Sequence, residues 1–567
     1  MHDLQAIQSA HYDLIVIGGG INGAGVVRDA AMRGLQAILI EKGDFGGGTT
    51  SWSTRLIHGG LRYLEYLEFP LVRESLRERE ILLRNAPHLV KPIQLTLPFY
   101  RNQSHKSWTI QAGMLLYDIL SYDKSLPNHR ILGTAQCKHL FPSLAPTDLL
   151  GAAQYYDAQA EYAERLCLEV IQSAAEVGAT VLNYTEVTDV QQQNGCIDRV
   201  MCRDVLTGVE FGISVGPNTV VVNTAGPWLD RVCQLGTRSG QPQPLCDRRL
   251  LSGTKGSHIF VDPFPGAPST ALYAEAAQDG RPYFIVPWLG GFLIGTTDFR
   301  YEGDLDRVKA DNDEIDYLIA ATNAMLPAAQ LTRESVRFTY SGVRPLPYRE
   351  SKKAGAITRK HIILDHAKEG GIGNLLSLIG GKLTTHRSSS QEMVDEVYTK
   401  LGKATPPCNT AETPLPGAID ASDPAIAESL QRYGDRLSPL AIYHLFDLYG
   451  SQAPAVLALG DSTPELFEPI VKGLLDIKAQ AVYAVQCEYA RTLTDIANRR
   501  TALSVLDRYG CEAVKAIADV LVRHCSWDPQ TCDAQIAQHY TYMEENCIPD
   551  YAEDILPEAS RSLQPAG

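Results

Sequence analysis

The stretch YDLIVIGGGINGAGVVRDAAMRGLQAILIE, residues 12–41, decides the fold. Its opening strand, expected over Tyr12-Asp13-Leu14-Ile15-Val16-Ile17, is rich in apolar and β-branched residues, the pattern of a strand buried in a parallel sheet. The run stops at Gly18-Gly19-Gly20-Ile21-Asn22-Gly23, which fits G-x-G-x-x-G. In that pattern Gly18 permits the tight turn and Gly20 lets the backbone approach a pyrophosphate. Gly23 lets the next helix pack close to the strand. That helix, expected from about Asn22 to Arg33 and stopped by Gly34, aims free N–H groups and partial positive charge at phosphates. Ala37-Ile38-Leu39-Ile40 is a second strand. Glu41 ends it 18 residues after Gly23, where a carboxylate bonds a ribose hydroxyl. A glycine-rich turn without a ligand is the bland alternative; the strand–turn–helix–strand context and Glu41 argue for dinucleotide binding.

The fingerprint alone does not separate FAD from NAD. Three features favour FAD. Thr49-Thr50-Ser51-Trp52-Ser53 offers hydroxyls to the far side of the pyrophosphate. Asn223-Thr224-Ala225-Gly226 sits where another strand, Thr219–Val222, returns towards the cofactor. Gly380-Gly381-Lys382-Leu383-Thr384-Thr385 is a second glycine-rich turn feeding a helix, whose N-terminus would face a flavin carbonyl. FAD is expected to be held non-covalently, since Tyr12, near the fingerprint, lies in a strand.

Working outward, a charged helix is expected from Pro70 to about Asn85. An apolar segment spans Trp108–Leu120, and a long helix is expected over Ala158–Val177. Tyr283–Pro287 and Gly291–Gly295 read as a hairpin, so an antiparallel, β-rich middle accompanies the parallel part. A Pro-rich stretch marks a linker at 404–417. Beyond it Pro439–Tyr449, Pro464–Ile477, Ala479–Ala497 and Cys511–His524 are expected helices. The expected organisation is an α/β unit with interleaved FAD and substrate domains over residues 1–403, then the linker, then an all-α domain over 418–567.

The chain has 567 residues, 44% hydrophobic and 21% charged, enough for a large core. Its net charge of −15 argues against general nucleic-acid binding, which runs on clustered Lys and Arg. Twelve cysteines form no Cys-x-x-Cys pair, so they read as thiols in a reducing compartment, with no metal site. No secretory signal precedes His11, and no stretch of about 18 apolar residues is present, so a cytoplasmic chain without a span is expected.

The motifs taken together resemble the FAD-dependent glycerol-3-phosphate dehydrogenases. The resemblance rests on residues 12–41 and on Leu56-Ile57-His58-Gly59-Gly60-Leu61-Arg62-Tyr63-Leu64-Glu65. Lys255-Gly256-Ser257-His258, Ile294-Gly295-Thr296-Thr297-Asp298, Tyr340-Ser341-Gly342-Val343-Arg344-Pro345 and 380–385 come next, in family order. The segment 491–501 is similar to the family's C-terminal domain. Gly46-Gly47-Gly48 is richer in glycine than the family's usual stretch, and no EF-hand loop occurs near the C-terminus, so calcium control is not expected.

The resemblance implies a glutathione-reductase-type FAD domain, an antiparallel substrate domain and a helical cap. It implies oxidation of sn-glycerol 3-phosphate at C2 to dihydroxyacetone phosphate, with electrons passing to FAD and then to a membrane quinone. It places Arg62, Tyr63, Arg344, Arg359 and Lys382 around the substrate. It assigns cofactor contacts to Gly18, Gly20, Asn22, Gly23, Glu41, Lys42, Thr50, Ser51, Ser53, Gly59, Gly226, Gly381, Leu383 and Thr384. His58 and His258 are the candidate proton acceptors and Arg344 the candidate stabiliser of the developing alkoxide. A glycerol-3-phosphate oxidase releasing peroxide, an amine- or amino-acid-oxidising flavoprotein and a non-enzymatic dinucleotide-binding scaffold are the competing readings. Residues 62–106 carry eight Lys/Arg against five Glu, and Trp108, Met114, Leu115, Leu116 and Tyr117 lie just beyond. That segment is a candidate for docking on an anionic surface at the inner face of the plasma membrane, against a solvated helix face as the alternative. A homodimer is left open.

Overall fold

A computed structural model of the chain describes residues 3–101, 103, 106–349, 359–369 and 371–556. Residues 12–41 fold as their pattern requires. Strand β1 (Leu14–Ile17) is buried at every position, helix α1 (Ile21–Met32) starts from Gly20 as N-cap, and β2 (Ala37–Ile40) lies parallel to β1 with Leu14 opposite Ala37. Gly18 holds φ at +107°, and a Cβ on Gly23 would lie 1.9 Å from the Gly18 carbonyl oxygen. Turn and helix therefore cross with no room for a side chain.

β1 and β2 lie inside a six-stranded sheet. Its order is Ile362–Asp365, Leu375–Ile379, Val220–Asn223, β1, β2, Thr180–Leu182. The outermost strand, Ile362–Asp365, runs antiparallel; every other pairing is parallel. The carboxyl ends of four parallel strands, at Ile17, Ile40, Asn223 and Ile379, share one edge, where an α/β sheet binds ligands. Helix α2 (Ala163–Glu176) and helix His386–Lys400 both pack on α1.

The second sheet is the β-rich middle. It contains β3 (Val90–Tyr100), β4 (Leu149–Ala160), β5 (Leu251–Val261), the hairpin Pro282–Trp288/Gly291–Gly295, and β6 (Val336–Pro347). β5 and β6 pair antiparallel, with Thr254 opposite Arg344, Gly256 opposite Gly342 and His258 opposite Tyr340. Alternation along a strand puts these six residues on one face. A small five-stranded sheet, including Thr185–Gln193, Cys196–Asp204 and Glu210–Ser214, covers a separate apolar cluster.

Three sequence-based expectations are corrected. The helix over Ala158–Val177 is two elements: β4 runs through Ala160 and α2 starts only at Ala163. Ala158 pairs with both Ile57 and Pro92, so tertiary pairing overrides the helix preference of alanine. Pro464–Ile477 is a single 3₁₀ turn over Pro464–Phe467, because Pro469 and left-handed Gly473 break the remainder of the segment. Ala479–Ala497 divides into helix Lys478–Cys487, a left-handed Tyr489, and a new start at the Thr492 capping box. Helices Pro439–Tyr449 and Ala513–Cys525 form close to their expected limits, while Pro424–Tyr433 and α3 (Pro529–Asn546) were not anticipated. Residues 1–2 and 557–567, at the expected outer limits, lie outside the described residues.

Candidate active site

The carboxyl edge of the parallel sheet opens into a cavity of about 680 Å³. Gly18, Gly20, Ile21 and Asn22 line it on the fingerprint side, Glu41 and Lys42 at the end of β2, and Gly226, Gly381 and Leu383 from the other two turns. The N-cap Gly20 has no side chain to cap α1, so the first-turn N–H groups beyond Ile21 are available to an anion. Thr50 Oγ1 accepts from the Ile21 amide at 3.1 Å and fixes the entry to that turn. Glu41 receives the Gly19 amide at 2.6 Å and the Gly43 amide at 2.9 Å; burial pushes its carboxyl above the usual range despite both bonds. Asn22 Oδ1 is buried without a partner. A glycine-rich cradle, an unpartnered acceptor and a carboxylate at the end of β2 fit a dinucleotide with its diphosphate on α1.

A second cavity of about 280 Å³ adjoins it. Thr49, Trp52, Ser53, Gly381, Lys382 and Leu383 line both, so the two meet at the 380–385 turn. The second cavity is strongly cationic: Arg62, Arg281, Arg344, Arg359 and Lys382 line it, and Asp298 is the one carboxylate among its described lining residues. Arg344 lies over Gly256, where a Cβ would sit 2.2 Å from Nη2. Burial lowers the Arg344 guanidinium to about 10. Asp298 bridges Arg344 at 3.3 Å and Arg359 at 3.6 Å; burial opposes its charge, yet the two guanidiniums hold it below the usual range. Arg359 Nη1 is buried with no hydrogen-bond partner among the described residues. An unpaired buried donor costs about 1–3 kcal/mol, so this nitrogen is set for an anionic acceptor.

Lys382 donates to Ser75 Oγ at 2.9 Å and to the His58 carbonyl at 3.3 Å, and its Nζ stands 4.7 Å from the centre of the Tyr63 ring. Burial brings its ammonium down to about 7. The His58 ring lines the cavity edge-on to Phe284, and burial lowers it to about 3. His258 is 1% exposed and stacks on Tyr340; its Nε2 meets Thr54 Oγ1 at 2.9 Å and its Nδ1 has no partner. Burial holds the His258 ring neutral as well.

Most residues expected at the site therefore converge: His58, Arg62, Tyr63, His258, Arg344, Arg359 and Thr384 on the smaller cavity, Ser53, Gly381, Lys382 and Leu383 on both, and Gly18, Gly20, Asn22, Glu41, Lys42, Thr50 and Gly226 on the larger. Three residues expected at the cofactor, Gly23, Ser51 and Gly59, line neither cavity. The Ser51 hydroxyl is buried and donates to the Gly46 carbonyl at 2.7 Å, so it holds the turn together. Gly59 gives its amide to Tyr117 Oη at 2.9 Å and lies against Leu76, a packing position where no side chain fits. Gly23 likewise acts by packing. Residues not anticipated are Asp298, Arg281, Tyr273 and Phe284, together with Thr54, which meets His258 on the cavity wall. Asp298 closes the motif that begins at Ile294, and a carboxylate among arginines was the available signal. Tyr273 and Phe284 carry no local signal, being aromatic residues on adjacent strands.

Comparison with known proteins bears on this geometry. A family model described as FAD dependent oxidoreductase matches residues 13–387, and one described as the C-terminal domain of alpha-glycerophosphate oxidase matches residues 408–532. The chain is 57% identical over 553 residues to a glycerol-3-phosphate dehydrogenase of Synechocystis sp., covering 97% of this chain and 100% of that one. It is 37% identical over 491 residues to the aerobic glycerol-3-phosphate dehydrogenase of Escherichia coli, covering 86% and 93%. The X-ray structure of the glycerol-3-phosphate dehydrogenase from Bacillus halodurans complexed with FAD matches with a TM-score of 0.75 at 27% identity, over 96% of each chain.

Proposed function

The chain belongs to the FAD-dependent glycerol-3-phosphate dehydrogenase family, and on that premise we propose how its two joined cavities divide the oxidation of sn-glycerol 3-phosphate to dihydroxyacetone phosphate. The larger cavity holds FAD non-covalently, with Gly18, Gly20 and Asn22 at the diphosphate, Glu41 at the ribose, and Gly381 and Leu383 at the flavin end. When bound there, FAD supplies the hydride acceptor.

The phosphate ester enters the smaller cavity. Arg359 and Lys382 take the phosphate, Arg359 through a planar fork and Lys382 as a point charge. Tyr63 packs beneath Lys382, and Arg62 lies on the same wall. Arg344, positioned by Asp298, stabilises negative charge developing on the C2 oxygen. His58 and His258 are the candidate acceptors of the hydroxyl proton, both rings kept neutral by burial, and His258 meets the Thr54 hydroxyl on the wall of the same cavity.

One observation carries the substrate reading: Arg359 Nη1, buried and unpartnered in a cavity with a single lining carboxylate among the described residues. The test is anaerobic mixing of the purified holoprotein with substrates. Bleaching of the oxidised flavin band by sn-glycerol 3-phosphate, far faster than by glycerol, is the expected result; equal rates would remove the phosphate assignment.

Electrons then pass to a membrane quinone, and faster reoxidation by a soluble quinone analogue than by oxygen separates this from the peroxide-releasing oxidase. No helix among the described residues is long and apolar enough to cross a membrane. Docking at the inner membrane face falls to helix Ser107–Leu120 and its surroundings, where Trp108, Leu115, Ile119 and Tyr122 are all more than half exposed. The same reading divides the chain into residues 1–403, a linker at 404–417 and a helical domain from 418.

A further inference from the structure

The cavity assigned to FAD has a wall that the dinucleotide motif does not supply. Thr492, Thr494 and Arg499 line it from the segment that opens with the Thr492 capping box. Gln535, Gln538 and Tyr542 line it from α3, spaced i, i+3, i+7 and so on one helix face. All six belong to the C-terminal helical unit. We propose that this unit builds the outer wall of the cofactor cavity and binds the adenosine half of FAD, so that flavin retention depends on it. The proposal rests on the reading that this cavity holds FAD.

The wall stands at the correct end. Arg499 meets the loop three residues beyond Glu41, the ribose carboxylate, whereas the flavin end lies at Gly381 and Lys382. Asp44, with its side chain fully buried, receives Arg499 Nε at 2.6 Å and Arg500 through two nitrogens at 2.7 and 2.9 Å. Adjacent residues on a regular helix point about 100° apart. Here Ile496–Arg500 is a π-helical turn, and both guanidiniums reach one carboxylate.

Two more loops around the ribose end are tied to the same unit. Tyr184 Oη donates to Asp495 at 2.5 Å. Asn546, one further turn along the α3 stripe, accepts the Val308 amide at 3.3 Å. That bond steadies the loop whose Asp306 meets Lys42 at 2.5 Å and the Trp228 indole N–H at 2.8 Å. The wall chemistry suits the ligand. Gln535 Oε1 already accepts the Leu493 amide at 2.9 Å, and the Thr492 and Thr494 hydroxyls meet Tyr184 and His539, so these residues are held in place by the protein; the Gln538 amide presents donor and acceptor together, as an adenine edge requires. An apolar wall would have served a lipid or a quinone tail instead.

The test uses full-length apoprotein stripped of flavin and titrated with FAD and with ADP, which carries only the adenosine diphosphate half. Gln538→Ala removes a wall contact without touching the Asp44 cluster, so it leaves folding intact; Arg499→Lys keeps the charge and removes the fork. Each variant is expected to raise Kd for FAD and for ADP by the same factor of about ten, which corresponds to one lost hydrogen bond of about 1.4 kcal/mol. The Gln538→Ala apoprotein is expected to melt at the wild-type temperature. Unchanged Kd for both nucleotides in Gln538→Ala overturns the proposal. So does a loss confined to FAD, which would put the effect at the flavin end. Wild-type apoprotein that takes up no FAD would instead overturn the cofactor reading beneath it.

Discussion

Arg359→Ala separates recognition of the phosphate from everything else the smaller cavity does. Before substrate binds, Arg359 contributes one 3.6 Å ion pair to Asp298 and one buried nitrogen with no partner. Arg344 and Arg281 also pair with Asp298, so the carboxylate keeps two cations when Arg359 is removed. The folded protein thus loses little, and it sheds an unpartnered buried donor that costs about 1–3 kcal/mol. The melting temperature should therefore hold or rise. Once the phosphate ester binds, the unpartnered nitrogen acquires a charged acceptor. Such a bond is worth about 1.5–3 kcal/mol net, and at 1.4 kcal/mol per tenfold its removal lowers kcat/KM for sn-glycerol 3-phosphate by about 10- to 150-fold. Unphosphorylated glycerol never makes the contact, so its much slower turnover should change by less than about threefold. The assay is steady-state dye reduction with both substrates, alongside a thermal melt. Equal losses on the two substrates, or a fall in melting temperature that accounts for the lost activity, would refute the reasoning.

With the Lys382 ammonium brought to about 7 by burial, kcat/KM for the phosphate ester should fall as pH rises through 7 and the cation is lost. Lys382→Arg should abolish that limb, and a wild-type profile flat from pH 7 to 9 would count against the assignment. The same group binds fewer protons folded than unfolded between about 7 and its ordinary 10.5, so its contribution to stability increases with pH across that window. Gly20→Val should fold yet lose flavin: a Cβ there meets only Thr50 Oγ1, at 3.4 Å, and the rest of the side chain enters the cavity. A Gly20→Val protein with full flavin content would show the diphosphate lies elsewhere. Co-sedimentation with vesicles containing anionic lipid at low salt should be observed and should weaken in Trp108→Ser/Leu115→Ser; no binding by the wild type removes the docking face.

Residues 12–41 are legible in the sequence because every contact that shapes them is local or one strand away. The turn at 380–385 is legible for the same reason, since glycines and the adjoining helix write their own geometry. Ala158–Ala160 are not, because a long antiparallel partner decides their state and nothing nearby announces it. The site divides in the same way. Arg344, Arg359 and Lys382 could be named from motifs. The facts that Asp298 holds two of those guanidiniums, that Ser51 spends its hydroxyl on Gly46, and that Gly59 is wedged against Tyr117 belong to packing. The contact between Asp44 and Arg500 joins residues 456 positions apart, a distance at which no periodicity in the sequence speaks.

The largest apolar cluster runs without interruption from Leu14 and Val16 through Leu166 and Val394 to Leu445, Val514 and Met543. Family models divide the chain near residue 400, yet the hydrophobic interior crosses that boundary unbroken. A segment ending at the boundary would present half an interior to water, and so would its complement. Modularity in sequence thus coexists with a single cooperative unit in heat: a calorimeter should record one endotherm for the holoprotein, not two. Neither piece is a module that a ribosome or an engineer can transplant. The helical unit has to be made, folded and inherited together with the nucleotide fold it closes.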